Sequence, residues 1–342
     1  MSEFRIDQIT NQSGSRGPDI AGITTFTGTS GMVMPSGPTE YRGGRGRGLI
    51  FCGYNGSGFD NTIDYITIST LGNATNFGDT TFARETSDSG FSSSTRGFVV
   101  GGSNQPTSSP GRTNIIDYTT ISSTGNTFDF GDLTTARYGT AGISDSTRGI
   151  AMGGDVSTGS PVDTIDYITM SSLGNASDYG DLTFPLARGA GFQSSTRGVQ
   201  ASGGTPTALN SIQYITIATT GNAQDFGDAT YDGQQLAGAS NSVRGIFAGS
   251  VNINIINYVT IASTGDAIDF GDLITARRED GALSSSIRWV IAGGYNDSGG
   301  LRLNSIEYVT IMTTGNAQDF GDLTVGRSGT SCCSDAHGGL GD

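Results

Sequence analysis

The chain has 342 residues, and 55 of them are Gly, about twice the ordinary share of ~7%. Its 32 acidic residues face 18 cations, all of them Arg, for a net charge of −14, with a single His and a single Trp. One His excludes a multi-His metal centre and argues against His-based acid–base chemistry, and the acidity argues against general binding of nucleic acid.

Residues 1–46 carry short extended runs (4–10, 22–27, 31–35) divided by Gly, Ser and Pro. The segment has no charged-then-apolar signal pattern, and nowhere does the chain hold an apolar run long enough to span a membrane. The segment is neutral, so the net negative charge belongs to the rest of the chain. It cannot bury much of its own surface. Its apolar residues Phe4, Ile6, Ile9, Ile20, Ile23, Phe26, Met32 and Met34 are expected to dock on another subunit by added strands, as an anchoring arm.

From residue 47 onward one phrase recurs six times: TIDYITIS, IIDYTTIS, TIDYITMS, SIQYITIA, IINYVTIA and SIEYVTIM. Its Tyr residues, Tyr65, Tyr118, Tyr167, Tyr214, Tyr258 and Tyr308, are spaced by 44 to 53 residues. That period matches propeller blades and exceeds a helical repeat unit. Each unit reads as four strands. In the third, Tyr138 opens strand A, Arg148–Gly154 forms strand B, Thr164–Met170 forms strand C, and Asp178–Thr183 forms strand D. Strand C alternates with period two and carries apolar residues on both faces, as expected for a sheet packed between two neighbours.

Strand B ends in a Gly pair in four units (Gly101-Gly102, Gly153-Gly154, Gly203-Gly204, Gly293-Gly294), while Cys52-Gly53 and Gly249-Ser250 keep one Gly. A variable segment and an aromatic-containing strand come next. This pattern resembles a kelch-type β-propeller blade. The resemblance implies an all-β, six-bladed kelch-like β-propeller over 47–342, with 1–46 as an extended N-terminal arm. The first unit lacks a strand A. Ser328-Gly-Thr-Ser-Cys-Cys-Ser-Asp-Ala aligns with Tyr138-Gly-Thr-Ala-Gly-Ile-Ser-Asp-Ser, so residues 328–336 are expected to complete the first blade and close the ring. Closure puts Cys52, Cys332 and Cys333 in one sheet. They read as buried reduced thiols, with a cross-strand disulfide as the alternative. A metal site with His337 is disfavoured, because adjacent strand residues point to opposite faces.

Phe/Tyr-Gly-Asp closes each unit at Asp79, Asp132, Asp181, Asp228, Asp272 and Asp322. These aspartates are expected to accept backbone hydrogen bonds or to pair an Arg between blades. Arg recurs before strand A (Arg84, Arg137, Arg188, Arg277, Arg327) and at the head of strand B, where a planar bidentate donor suits a fixed partner. No Ser–His–Asp triad can be built. No His set of the copper-oxidase kind and no Asp-box of the sialidase kind is present, so no enzymatic activity, catalytic residue, metal or cofactor is expected.

Alternating strands put the A–B and C–D turns on one face and the B–C segments with the D–A crossovers on the other. The turns are nearly uniform. The B–C segments vary and offer Tyr54, Asn55, Phe59, Gln105, Asp155, Tyr295, Asn296 and Asp297 as receptor-binding candidates.

The arm (RIDQITNQSG…GPDIAG…GTSGMVMPSG) and the repeat Tyr-Ile-Thr-Ile-x-x-x-Gly-Asn-Ala-x-Asp-Phe-Gly-Asp-Leu-Thr resemble structural proteins of tailed marine bacteriophages, notably cyanophages. The resemblance implies a virion protein assembled in the bacterial host cytoplasm. It would be a tail-fibre or appendage component, anchored by residues 1–46 to other virion subunits as a homo-oligomer. Its propeller would face a host surface glycan, with no nucleic-acid partner and no membrane span. The alternatives are a purely structural decoration of capsid or tail and a polysaccharide-degrading propeller.

Overall fold

The structure is a computed structural model and describes residues 46–336, except 105–110, 158 and 205. The arm residues named above, Gln105 and His337 lie outside the described residues. The described chain is all β. No helix in it is long and apolar enough to cross a membrane.

Six four-stranded antiparallel sheets form six blades. Their first strands are Ser331–Ser334, Gly90–Ser92, Ala141–Ser144, Ala190–Gln193, Ala237–Ser240 and Gly281–Ser284 for blades one to six. Each of these inner strands packs against the next, and the sixth packs against the first, so together they surround an axis. Blade three runs outward through Arg148–Met152, Thr164–Thr169 and Ser177–Asp181. In blade one the expected closure holds: Ser331–Ser334 pairs with Arg47–Tyr54 in the register Gly48↔Ser334 to Phe51↔Ser331. The missing covalent A–B turn is reproduced by the two chain segments. Asp335 accepts from the Arg47 N–H at 2.7 Å, as Asp145 accepts from Arg148 N–H at 2.6 Å in the continuous turn of blade three.

Buried apolar side chains fall into six clusters, one at each seam between blades. Leu49, Phe51, Ile63, Phe77, Val99 and Cys333 fill the seam between blades one and two. The second residue of strand B explains much of the fit. It is Gly48, Gly97, Gly149, Gly198 and Gly245 in five blades, and a side chain there would enter Leu283, Cys333, Phe91, Ile143 and Phe192 of the preceding inner strand. Blade six inverts the arrangement. Trp289 stands where the others have Gly, and the facing inner strand carries only Ala239.

The repeated polar motifs are seam latches. At the first seam the Phe77 carbonyl accepts from Gly125 N–H (2.8 Å), Asp79 N–H donates to the Asn126 side chain (3.0 Å), and the Asp79 carbonyl accepts from Thr127 N–H (2.9 Å). The same three bonds recur around the ring to Phe320 and Asp322, which bind Gly72, Asn73 and Ala74. The Phe-Gly-Asp aspartates therefore act through their backbone, and their carboxylates do not take up the buried Arg, contrary to one sequence expectation. A Cβ at Gly78 would lie 2.3 Å from the Gly125 carbonyl oxygen, so the latch admits only Gly there.

Each Arg at the head of strand B lies over the ring of its own blade's repeated Tyr and donates to a carbonyl of the next blade. Arg47 stacks on Tyr65 and bonds Ile121, and Arg288 stacks on Tyr308 and bonds Ile68 to close the circle. The acid of the Ile-Asp-Tyr phrase, on strand C, is the partner of the crossover Arg: Arg84–Asp117 at 2.9 Å, Arg137–Asp166 at 3.0 Å, Arg327–Asp64 at 3.2 Å, and Arg277–Glu307. Blades four and five lack the Arg and carry amides there. Leu186 with Gln213 replaces the pair in blade four. In blade five the Tyr231 hydroxyl donates to the Gly249 and Ile255 carbonyls beside Asn257, taking the two backbone positions that Arg277 binds at Gly293 and Ser305 in blade six.

Strand B and the B–C segment differ from the sequence reading in two further respects. The end of strand B takes positive φ at Cys52-Gly53, Gly101-Gly102, Gly153-Gly154 and Ser202-Gly203, so in blade four the pair is Ser202-Gly203, one residue before the expected Gly203-Gly204. The B–C segments of four blades are hairpins. Strands B and C extend in blades one and four (Phe59–Thr67 and Ala208–Thr216 as the C strands), and separate ribbons Asp155–Ser157/Ser160–Pro161 and Tyr295–Asn296/Leu301–Arg302 form in blades three and six. Cys52, Cys332 and Cys333 are free and buried in one sheet.

Candidate functional site

Latches and core explain what repeats. What does not repeat gathers where the D–A crossovers meet the axis. There the backbone is bonded at every seam: Thr86 and Ser87 N–H to Gly329 (2.8 and 3.3 Å), Gly329 to Glu279 (2.6 Å), Glu279 to Gln235 (3.0 Å), Gln235 to Arg188 (2.6 Å) and Arg188 to Gly139 (2.7 Å) form a collar, and Gly142 of the inner strand to Asp88 (3.2 Å) closes it. Backbone bridges also tie most crossovers to the base of their own B–C segment: Tyr54↔Ser328, Glu85↔Ser103, Tyr138↔Asp155, Ala187↔Gly204 and Arg278↔Tyr295. The mouth is fixed by main chain before any side chain is considered.

The collar demands left-handed backbone. Blades one and three meet this with Gly329 and Gly139, both at φ +69. Blades four, five and six place Arg188 (φ 61), Gln235 (φ 66) and Glu279 (φ 57) at these positions. A side chain in this region costs roughly 1–2 kcal/mol relative to Gly, and such strain concentrates at functional sites.

The side chains around the collar form one network. Arg278 donates to Asp297 (2.9 Å), Glu279 (2.8 Å) and Gln235 (3.0 Å), and Gln235 donates to Glu279 (2.7 Å). Arg188 pairs with Asp155 at 2.7 Å. Arg112 and Arg188 both lie over the Tyr138 ring, at 4.8 and 5.4 Å. Arg302 lies between Tyr54 (4.4 Å) and Tyr295 (5.3 Å), and Arg278 covers Tyr295 at 5.0 Å. Burial, reinforced by Glu279, pushes the Glu85 carboxyl up to about 7 against the pull of Arg112, Arg188 and Arg302. Burial likewise raises the Tyr138 hydroxyl.

Below the mouth the axis is closed. From Arg to the terminal Ser of strand A, blades one, three and six take eight residues (327–334, 137–144, 277–284), while blade two takes nine (84–92). The extra residue forms a left-handed bulge at Ser87 and Asp88 (both φ 56). It sends the Asp88 carboxylate across to the N–H groups of Gly191 (3.3 Å) and Gly238 (3.0 Å) in blades four and five. Burial holds this carboxyl well above its usual range. The passage between the inner strands encloses about 40 Å³, enough for a water and too little for an organic ligand. Among the described residues no group of three or more His, Cys, Asp or Glu side chains is placed to hold a metal.

The sequence-predicted loop residues divide. Tyr54, Asp155, Tyr295 and Asp297 join the network through Arg302, Arg188 and Arg278. Phe59 packs on Tyr54 with ring centroids 5.3 Å apart. Asn55 and Asn296 are used in hairpin turns, accepting from Ser57 and Gly58, and from Gly299. Gln105 is outside the described residues. Sequence reasoning grouped Arg188 with the four buried crossover arginines; it stands two positions later, after Leu186, and faces the mouth. Glu85, Arg112, Tyr138, Gln235, Arg278, Glu279 and Arg302 were not singled out. The signal for Glu85, Tyr138, Gln235, Arg278 and Glu279 is departure from the repeat in the crossovers, visible only once the six crossovers are aligned; Arg112 and Arg302 lie in B–C segments, each two residues before the Asn that precedes strand C. No protein-family model and no curated protein matches the chain.

Proposed function

We propose that the protein is a non-catalytic binding module of a tailed-bacteriophage virion, a tail-fibre or appendage component. In this reading residues 1–46 anchor it, and the mouth of its kelch-like propeller receives a host surface glycan. The observation that carries the binding role is the set of strained side chains Arg188, Gln235 and Glu279. They occupy left-handed positions where two other blades use Gly, and they converge on one preorganised mouth. Half-buried aromatic rings and polar edges on a rigid ring suit a saccharide, whose hydroxyls need directional partners and whose ring faces need apolar ones. The virion assignment is supported by the resemblance of arm and repeat to phage structural proteins.

The test is competition. Purified full-length protein, added to a phage carrying it, should block adsorption to host cells. The same chain with Arg188→Gly, Gln235→Gly and Glu279→Gly should not block. Equal blocking by both would remove the mouth from the function. Release of reducing sugar ends from host polysaccharide by the native chain would replace binding by hydrolysis.

A further inference from the structure

The arginines differ in how well they are matched. Those at the head of strand B each bind a carbonyl, and the four buried crossover arginines each bind an acid. Arg278 at the mouth bonds Asp297 through Nε, and Glu279 and Gln235 through one terminal nitrogen. Arg112 and Arg302 differ. Among the described residues neither has a hydrogen-bonded acid or acceptor, although Asp155 and Glu85 act on Arg112 at longer range; the guanidinium of Arg112 lies over the Tyr138 ring and that of Arg302 between Tyr54 and Tyr295. Their Nε atoms are buried and unpartnered, a feature they share with Arg188 and with the crossover arginines Arg84, Arg137 and Arg327, so what sets Arg112 and Arg302 apart is that no acid within bonding distance meets their terminal N–H groups among the described residues. A guanidinium lying over a ring leaves its terminal N–H donors available to a planar anion. An unmatched buried donor costs roughly 1–3 kcal/mol until an acceptor arrives.

The acid that these cations surround is Glu85, against the backbone of Gly329. Burial acts on it together with Glu279 and Arg302 from blade six, Arg112 from its own blade and Arg188 from blade four, and the Tyr138 hydroxyl of blade three faces it as well. With its carboxyl near 7, Glu85 is a poor counter-ion at neutral pH and a ready hydrogen-bond donor just below it. The mouth thus combines unsatisfied planar donors, a protonatable carboxyl, and the apolar rings of Tyr54, Phe59 and Tyr295.

We infer that the ligand of the mouth is an acidic saccharide, whose carboxylate is received by Arg112 and Arg302 with Arg188 beside them. This rests on the binding-module reading and adds the chemical class of the ligand. Glu85 in its protonated form donates to the bound carboxylate, so affinity falls as pH rises through 7.

The experiment is calorimetric titration of the full chain with two probes, oligogalacturonate and the same oligosaccharide fully methyl-esterified. The pair differs in charge and not in sugar. The free acid is expected to bind at least tenfold more tightly, the size of a charge-assisted hydrogen bond. Arg302→Gln and Arg112→Gln should each remove most of that difference. Between pH 6 and pH 8 the affinity of the native chain for the acid should fall about tenfold, as one group with a pKa near 7 requires, and Glu85→Gln should flatten the profile. Equal binding of acid and ester would overturn the acidic-ligand inference and leave the saccharide-binding reading standing. A flat pH profile in the native chain would overturn the role of Glu85. Binding of neither probe, together with failure to block adsorption, would remove both readings.

Discussion

The buried pair Arg84–Asp117 offers a sharp test of how the ring is held, because the chain contains its own control. Both side chains are fully buried, 2.9 Å apart, and Thr81 donates to both oxygens of Asp117 at 2.8 Å. Asp117→Gln keeps an acceptor for Thr81 but leaves the Arg84 guanidinium buried without a counter-charge. Breaking one partner of a buried pair costs about 3–5 kcal/mol. For a domain of this size each kcal/mol lowers the melting temperature by about 2–4 °C, so a fall of roughly 6–20 °C is expected. The double variant Arg84→Leu with Asp117→Gln rebuilds the Leu186–Gln213 arrangement of blade four. It should recover to within ~1.5 kcal/mol of the native chain, since apolar replacement of a buried ion pair is often neutral or stabilising. Urea unfolding followed by the fluorescence of the single, fully buried Trp289 measures both. A single variant that loses less than ~1 kcal/mol, or a double variant no more stable than the single, would refute the argument that charge balance within each blade decides the residue on strand C.

Arg288→Lys should lower stability by about 1–2 kcal/mol. A Lys cannot lie flat on Tyr308 (4.9 Å) while donating to the Ile68 carbonyl (2.8 Å) across the closing seam; thermal melting of the variant beside the native chain checks this. Burial pushes the Asp280 carboxyl up to about 8, whereas the unfolded chain ionises near 3.9. The native state therefore holds one more proton between those limits, and stability falls as pH rises, by up to ~1.4 kcal/mol per pH unit. Asp280→Asn should remove one proton's worth of that slope, and melting temperatures from pH 5 to pH 8 that decline as steeply as the native chain's would contradict it. Cys52, Cys332 and Cys333 are buried, and burial raises all three thiols. A maleimide at pH 8 should leave them unlabelled in the folded chain and label all three in urea, as read by mass spectrometry.

The fold was legible in the sequence because its repeat is one blade long and its motifs are geometric. The six Tyr phrases marked strand C, and the tail Ser-Cys-Cys-Ser could be recognised as the missing inner strand by alignment alone. Roles within the motifs were less legible. Phe-Gly-Asp recurs because a main-chain latch needs Gly at its centre, and nothing in the letters says that the Asp side chain is idle there. The true partner of the buried Arg sat in plain view in Ile-Asp-Tyr, and its signature is the exchange to Gln213 and Asn257 in the two blades without the Arg. Trp289 and Ala239 exchange size in the same way across one seam. Chemistry at the mouth was the hardest to see. Its residues come from different blades, and the left-handed backbone that brings Arg188, Gln235 and Glu279 together depends on a collar that exists only when the ring is closed.

Closure by Ser331–Ser334 also sets how the ring carries load. Gly48 lies opposite Ser334, so the outgoing ends of these two antiparallel strands leave the sheet side by side. A force drawn between them peels the ladder one hydrogen-bonded pair at a time, the weak mode for a sheet. A force entering at residue 47 and resisted at the mouth, at the far end of the same strand, runs along the strand and shears every pair of the ladder at once. The Arg latches then share it with the next blade. A ring closed in this way is soft to tension between its two ends and stiff to tension between its first strand and whatever the mouth holds.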